Sequence, residues 1–211
     1  MKVIGIGLNK TGTKTLAHYF RGWGMRHHSF DLDAFRMYRD GHIDRLLDTM
    51  EMWDSFEDWP WPLIWRQIDE RYPDARFVLT VRSSPEAWFR SLCNMAVRMG
   101  PLRDYEQHIY GHAMPQGHRE EHLDFYRAHN RAVAEHFADQ TSKLVTICWE
   151  EPEAPRKLAD FLGYELLDAT PIHVNPGARG LYSGDNLWVA HACRLAYRPY
   201  WHVKQALRRI T

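Results

Sequence analysis

The stretch Gly5-Ile6-Gly7-Leu8-Asn9-Lys10-Thr11-Gly12-Thr13-Lys14-Thr15 has the residue types and spacing of an anion grip. Lys2 to Gly7 is a short apolar run that reads as a buried strand, and Asn9 to Thr13 is a polar turn. From Thr15 to Trp23 the apolar residues Leu16, Phe20 and Trp23 share a helical face, with Gly24 as the stop. A strand, a glycine turn and a helix N-terminus in that order present backbone N–H groups and a favourable dipole to phosphate oxygens. Lys10 adds a cation; Thr11, Thr13 and Thr15 add hydroxyl donors. The stretch is not a regular triphosphate loop. Gly7 and Gly12 fit Gly-x4-Gly-Lys-Ser/Thr, but Thr13 stands where the lysine belongs and Lys14 comes one place late, so its side chain points elsewhere.

A second pair follows the clearest strand pattern, Arg76 to Val81. Arg82 leaves that strand, Ser83-Ser84-Pro85 turns the chain, and Ser91 lies on the helix that runs on to about Met99, capped by Ser84. A guanidinium and a hydroxyl together suit a phosphate monoester; a surface arginine and a helix-face serine give the same pattern. Asp58 lies between a strand end and a proline turn in Ser55-Phe56-Glu57-Asp58-Trp59-Pro60. A carboxylate there can take a proton from a substrate hydroxyl, or simply cap the next turn. Asp54 and Glu57 are neighbouring candidates for the same work.

These residues need elements to hold them. Arg26 to Phe30 and Met52 to Phe56 read as short strands, and Leu144 to Cys148 as a longer one. Helical patterns cover Asp31 (as cap) to Arg39, Ile43 to Met50, Leu63 to Tyr72, Arg119 to Ala138, Pro155 to Leu162 and Leu187 to Ile210. Gly100 to Gly117 is loop-rich with one short helix, and Thr170 to Asn186 is loop. Alternating strands and helices predict an α/β fold of three layers, P-loop-type, with a mostly parallel central sheet flanked by helices. Ligands of such sheets sit beyond the carboxyl ends of strands, here just after Gly7, Phe56 and Val81. A length of 211 residues suits one domain, with a C-terminal helical extension at about 187–211.

Composition narrows the class. Hydrophobic residues are 45% and charged residues 26%, which is globular, and the formal net charge of zero gives no basic surface for general nucleic-acid binding. Cys93, Cys148 and Cys193 lack any pair spacing, so neither a disulfide framework nor a zinc ribbon is expected. The N-terminus runs straight into a strand pattern and no apolar run reaches the ~18 residues of a membrane span. A cytoplasmic location is expected. Among 13 histidines, His108 with His112 and His118 with His122 have helical i, i+4 spacing but no evident third donor, so no metal is expected. The loop with Tyr105, His108, Tyr110, His112 and Met114 is expected to border an acceptor, and the basic C-terminal helix to present a solvated face.

Taken together and in order, these segments resemble sulfotransferases that use 3′-phosphoadenosine 5′-phosphosulfate (PAPS). Lys10 to Leu16 is similar to that family's Lys/Arg-x-Gly-Thr-x-Ser/Thr-Leu loop, and Arg82 to Ser91 to its 3′-phosphate segment. Asp58-Trp59-Pro60, Tyr72-Pro73-Asp74-Ala75, Trp149-Glu150, Leu158 to Gly163 and His173-Val174-Asn175 resemble one branch of it, over about residues 1–176. The resemblance implies that Lys10 contacts the bridging and sulfuryl oxygens. It implies that Thr11, Gly12, Thr13, Lys14 and Thr15 hold the 5′-phosphate, and that Arg82 and Ser91, with Arg179 and Gly180, reach the 3′-phosphate. Asp58 takes the place of the general base. The product is adenosine 3′,5′-bisphosphate (PAP), and the acceptor is a small molecule or glycan bearing a hydroxyl or amine. The turn after Arg82 holds one residue more than usual, so Ser83 or Ser84 is an alternative to Ser91. An atypical small-molecule kinase would need the displaced lysine and a magnesium carboxylate, for which Asp54 or Asp58 is available. A non-catalytic nucleotide binder of the same fold is favoured by loss of Lys10 or Arg82, and both are present.

Overall fold

The computed structural model describes residues 1–101, 104–167 and 185–208. Strands form where branched and aromatic residues run together. The strands are β1 (Val3–Gly5), β2 (His27–His28), β3 (Ser55–Phe56), β4 (Arg76–Val81) and β5 (Leu144–Cys148). They make one sheet in the order β2-β3-β1-β4-β5, and every pairing is parallel. The helices are α1 (Thr13–Gly22), α2 (Leu32–Arg39), α3 (Ile43–Thr49), α4 (Trp65–Arg71), α5 (Pro85–Met99), α6 (Asp104–Tyr110), α7 (Arg119–His136), α8 (Ala154–Leu162) and α9 (Leu187–Arg208).

Alternation along the strands splits the core into two layers. Ile4, Phe56, Phe77 and Leu79 pack with α2, α3, α4 and the end of α7, through Ala34, Leu46, Trp65, Ile68 and Phe137. Val3, Val78, Val145 and Ile147 face the other way, onto Leu16, Tyr19 and Phe20 of α1 and Leu158 and Leu162 of α8. The sheet is therefore covered on both faces, as an all-parallel sheet must be. The two histidines of β2 part company for the same reason. His27 packs on Phe20; His28 packs among Trp53, Phe56 and Trp61.

β3 begins later than the pattern predicts. Met50–Met52 form a 3-10 turn rather than a strand start. The Lys2 ammonium takes the carbonyls of Met50 and Trp53, at 2.7 and 3.0 Å. Arg26 holds Asp54 through its backbone N–H and guanidinium, so ladder pairing starts at Ser55.

The chain divides into two compact units, Met1–Ser84 with Tyr126–Pro176, and Pro85–Phe125 with Gly177–Thr211. The first holds the sheet. In the second, α5 and α9 meet through Ala96, Met114 and Ala190. No helix among the described residues is long and apolar enough to cross a membrane.

Candidate active site

The turn between β1 and α1 is held from beneath. A Cβ on Gly7 would lie 2.0 Å from Thr80 Oγ1 and 2.4 Å from its carbonyl, so only glycine lets this turn pass β4. The Thr11 hydroxyl donates to Leu8 O at 2.6 Å. A hydroxyl has one proton, so the 2.6 Å contact between Thr11 and Thr80 has Thr80 donating. Both are buried. His129 of α7 donates Nε2–H to the Ile6 carbonyl at 2.8 Å, and desolvation lowers its pKa, which keeps the ring neutral. Thr11 thus braces the turn, while Lys14 is exposed and Lys10, Gly12 and Thr15 are half-buried at its rim. Gly12 caps α1 with a left-handed backbone and, being glycine, supplies no side-chain cap of its own. A Cβ on Gly12 would sit 2.3 Å from Trp149 Cδ1. Trp149, just after β5, stacks on Tyr19 at 5.5 Å and 6°.

Two non-glycine residues have positive φ among the described residues, Lys10 at 69° and Asp58 at 66°. Each such backbone costs about 1–3 kcal/mol and persists only where its surroundings enforce it. They lie beyond the carboxyl ends of β1 and β3, which are adjacent and in register from Val3 against Ser55. Asp58 is half-buried. Its Oδ1 accepts from Trp59 N at 2.9 Å and its carbonyl from Trp61 N at 3.1 Å.

Glu57, beside it, is the unexpected carboxylate. Its side chain is 1% exposed, as is that of His27, whose Nε2 lies 3.6 Å from Glu57 Oε1. Ser29 also donates to Oε1, and His27 Nδ1 meets Ser55 Oγ at 3.0 Å. Oε2 is buried without a hydrogen-bond partner among the described residues. Sequence pattern names Glu57 only as an alternative to Asp58. Its position at a strand end was the available signal; the burial was not legible.

Arg82 ends β4. Its backbone N–H donates to Tyr126 OH at 3.0 Å, and Nη1 reaches the Lys10 carbonyl at 3.5 Å. Its Nε pairs with Glu150 Oε1 at 2.5 Å, both side chains about one-third exposed. Glu150 Oε2 also accepts from Ser83 N at 3.0 Å and from the Cys148 thiol at 2.9 Å. Burial, then the Glu150 contact, pushes that thiol up to about 11. Glu150 was legible as a residue beyond a strand end, like Asp58 and Arg82, but no role for it follows from spacing.

The first unit therefore brings together Lys10 to Thr15, Asp58 and Arg82 at the carboxyl ends of β1, β3 and β4. Ser91 lies half-buried on α5, in the second unit. Ser83 is exposed and Ser84 half-buried in the turn. Arg179 and Gly180 lie outside the described residues.

A parallel sheet with a glycine turn from its first strand into its first helix is a P-loop-type α/β architecture. Residues 2–178 match the sulfotransferase domain family, and the chain belongs to that family. Its class of activity is sulfuryl transfer. Comparison with curated proteins found no match.

Proposed function

We propose that the chain moves a sulfuryl group from PAPS to a hydroxyl or amine of a small-molecule or glycan acceptor. The observation that carries this reading is the pair of strained backbones. Lys10 and Asp58 are held in the left-handed region at adjacent strand ends, as groups aimed at one reaction are. In the transfer, the acceptor oxygen or nitrogen bonds to sulfur as the bond from sulfur to the 5′-phosphate oxygen breaks. The acceptor proton passes to the Asp58 carboxylate. Lys10 stabilises charge developing on the departing phosphate oxygen. The N-terminal N–H groups of α1, with Thr13, Lys14 and Thr15, hold the 5′-phosphate; Thr11 keeps the turn in shape. Arg82 holds the 3′-phosphate with Ser91, Ser83 or Ser84 and with Arg179 and Gly180. Positioning and fixed charge supply the catalysis. The free thiols fit a cytoplasmic setting.

Thermal titration tests the donor class. PAP at about a hundred times its Kd stabilises by about 2.7 kcal/mol, which for a chain of this size raises Tm by about 5–11 °C. The rise is expected without magnesium and should exceed that from ATP with magnesium. The reverse ranking identifies a kinase, and no response to either nucleotide identifies a protein that has left donor chemistry behind.

A further inference from the structure

Within the second unit, the turn before α7 and the first turn of that helix gather three metal-ligating side chains to which the proposed transfer assigns no role. Ligand atoms of His112, His118 and Glu121 all lie within 4.8 Å of one another. Glu121 Oε2 is in direct contact with His112 Nε2, and Oε1 lies 3.5 Å from His118 Nδ1. Ligands about 2.0–2.1 Å from a tetrahedral ion stand roughly 3.4 Å apart, so the His118–Glu121 spacing already suits one. Spacing along the chain hid the third donor, because pairs four residues apart lack it. The actual set is His112-x5-His118-x2-Glu121, with His118 and Glu121 three residues apart on one side of the α7 entrance.

The scaffold beneath is fixed. Met114, Pro115 and Gln116 are buried between the two histidines, and Gln116 Nε2 donates to Cys93 O at 3.1 Å. Gly117 N donates to Asp185 Oδ1 at 2.7 Å. His122 meets the His118 carbonyl through Nδ1 at 2.7 Å and is itself buried. The donors therefore need little ordering to bind. The rings of His112 and His118 stack at 3.4 Å and 13°. Their side chains are 26% and 32% exposed, which leaves room to turn an in-plane lone pair toward an ion. The Glu121 carboxylate faces both of these rings. The cation of Arg119 is drawn to Glu86 and Glu120 instead, and Glu120 and Glu121 offset the positive end of the α7 dipole.

We propose that His112, His118 and Glu121 form a binding site for a divalent transition-metal ion of the zinc class. Two imidazoles and a carboxylate are borderline donors suited to zinc, cobalt and nickel. Three protein ligands leave a coordination position open to water or to an added ligand. The ion takes the place of the proton between His112 and Glu121 and clamps the Gly111–Gly117 turn to the first turn of α7.

The test is cobalt titration of the chelator-stripped full-length protein, read by visible d–d absorption, with zinc competition and calorimetry. One equivalent of cobalt is expected, displaced by zinc, with a metal-dependent rise in Tm. Loss of an outer-shell partner alone costs about 10–100-fold in affinity. His118→Ala and Glu121→Gln should therefore each weaken binding at least about tenfold, while the exposed His42→Ala leaves it unchanged. Metal-free Tm of each variant, compared with the parent, separates ligand loss from misfolding. No cobalt or zinc binding by the parent overturns the site, as does equal binding by the His112→Ala/His118→Ala/Glu121→Ala triple variant. None of the three is among the donor ligands proposed above, so the PAP titration and this one fail independently.

Discussion

Gly12→Ala tests the architecture of the anion turn. The substitution acts through two separable effects. A left-handed backbone, φ 95° at Gly12, costs an L-residue about 1–2 kcal/mol. The new methyl would also meet the Trp149 ring at 2.3 Å from Cδ1 and 2.8 Å from Nε1. Overpacking of this kind costs about 1–3 kcal/mol. The sum is about 2–5 kcal/mol, or a Tm lower by roughly 4–20 °C for a chain of this length. Trp149→Ala removes the second effect and leaves the first. In that background Gly12→Ala should cost only about 1–2 kcal/mol, so the double-mutant cycle should show a coupling of about 1–3 kcal/mol. Denaturant unfolding of the four proteins measures it. An equal cost of Gly12→Ala with and without the indole would refute the contact, and a cost below about 1 kcal/mol in the parent would refute both the contact and the backbone argument.

Other expectations concern the same region. Lys10→Ala should abolish transfer and Asp58→Ala should lower it strongly with PAP binding retained, as read by single-turnover assay and calorimetry; full activity in Asp58→Ala removes it as base. Thr80→Val deletes the hydroxyl that donates to Thr11 and should cost about 1 kcal/mol by denaturant unfolding, with weaker PAP binding. Desolvation lowers the pKa of His129 and of His28. Fewer protons bind in the folded state, so stability should be complete above about pH 6.5 and fall as pH drops toward the folded values. His129→Gln, which can still donate to the Ile6 carbonyl, should flatten that fall; an unchanged slope by thermal unfolding against pH would remove His129 as a contributor.

The elements most legible in the sequence are those governed by local rules. β4 and β5 have their expected bounds, because both are runs rich in β-branched and apolar residues, β4 between two neighbours and β5 paired with it along its whole length. Asp31 caps α2 through Ala34 N at 2.7 Å, as residue type predicts. Strand order was not legible, since parallel neighbours are joined by crossovers whose endpoints no local pattern encodes. β3 was misplaced at its start because Lys2 and Arg26, distant in sequence, compete for its first residues. Lys10 and Asp58 were legible by type and position. Their backbone was not, because a positive φ at lysine comes from the surrounding packing and not from the residue. Glu121 was invisible as a third donor for the opposite reason. Its neighbours His118 and His122 drew attention at helical spacing, while the ring that meets it, His112, arrives from before the turn.

The carboxylate of Glu150 gives the Arg82 seat a property beyond shape. A guanidinium already paired with a carboxylate at 2.5 Å offers little net charge to a passing anion. Chloride or free phosphate in the surrounding medium meets a neutral doublet and gains little by breaking it. A ligand tethered by its other end at the α1 terminus arrives at high effective concentration, and such a ligand can compete for Arg82. On the proposed assignment of Arg82 to the 3′-phosphate, the pair would act as a filter against abundant small anions, at a cost that falls hardest on ligands carrying only one of the two phosphates.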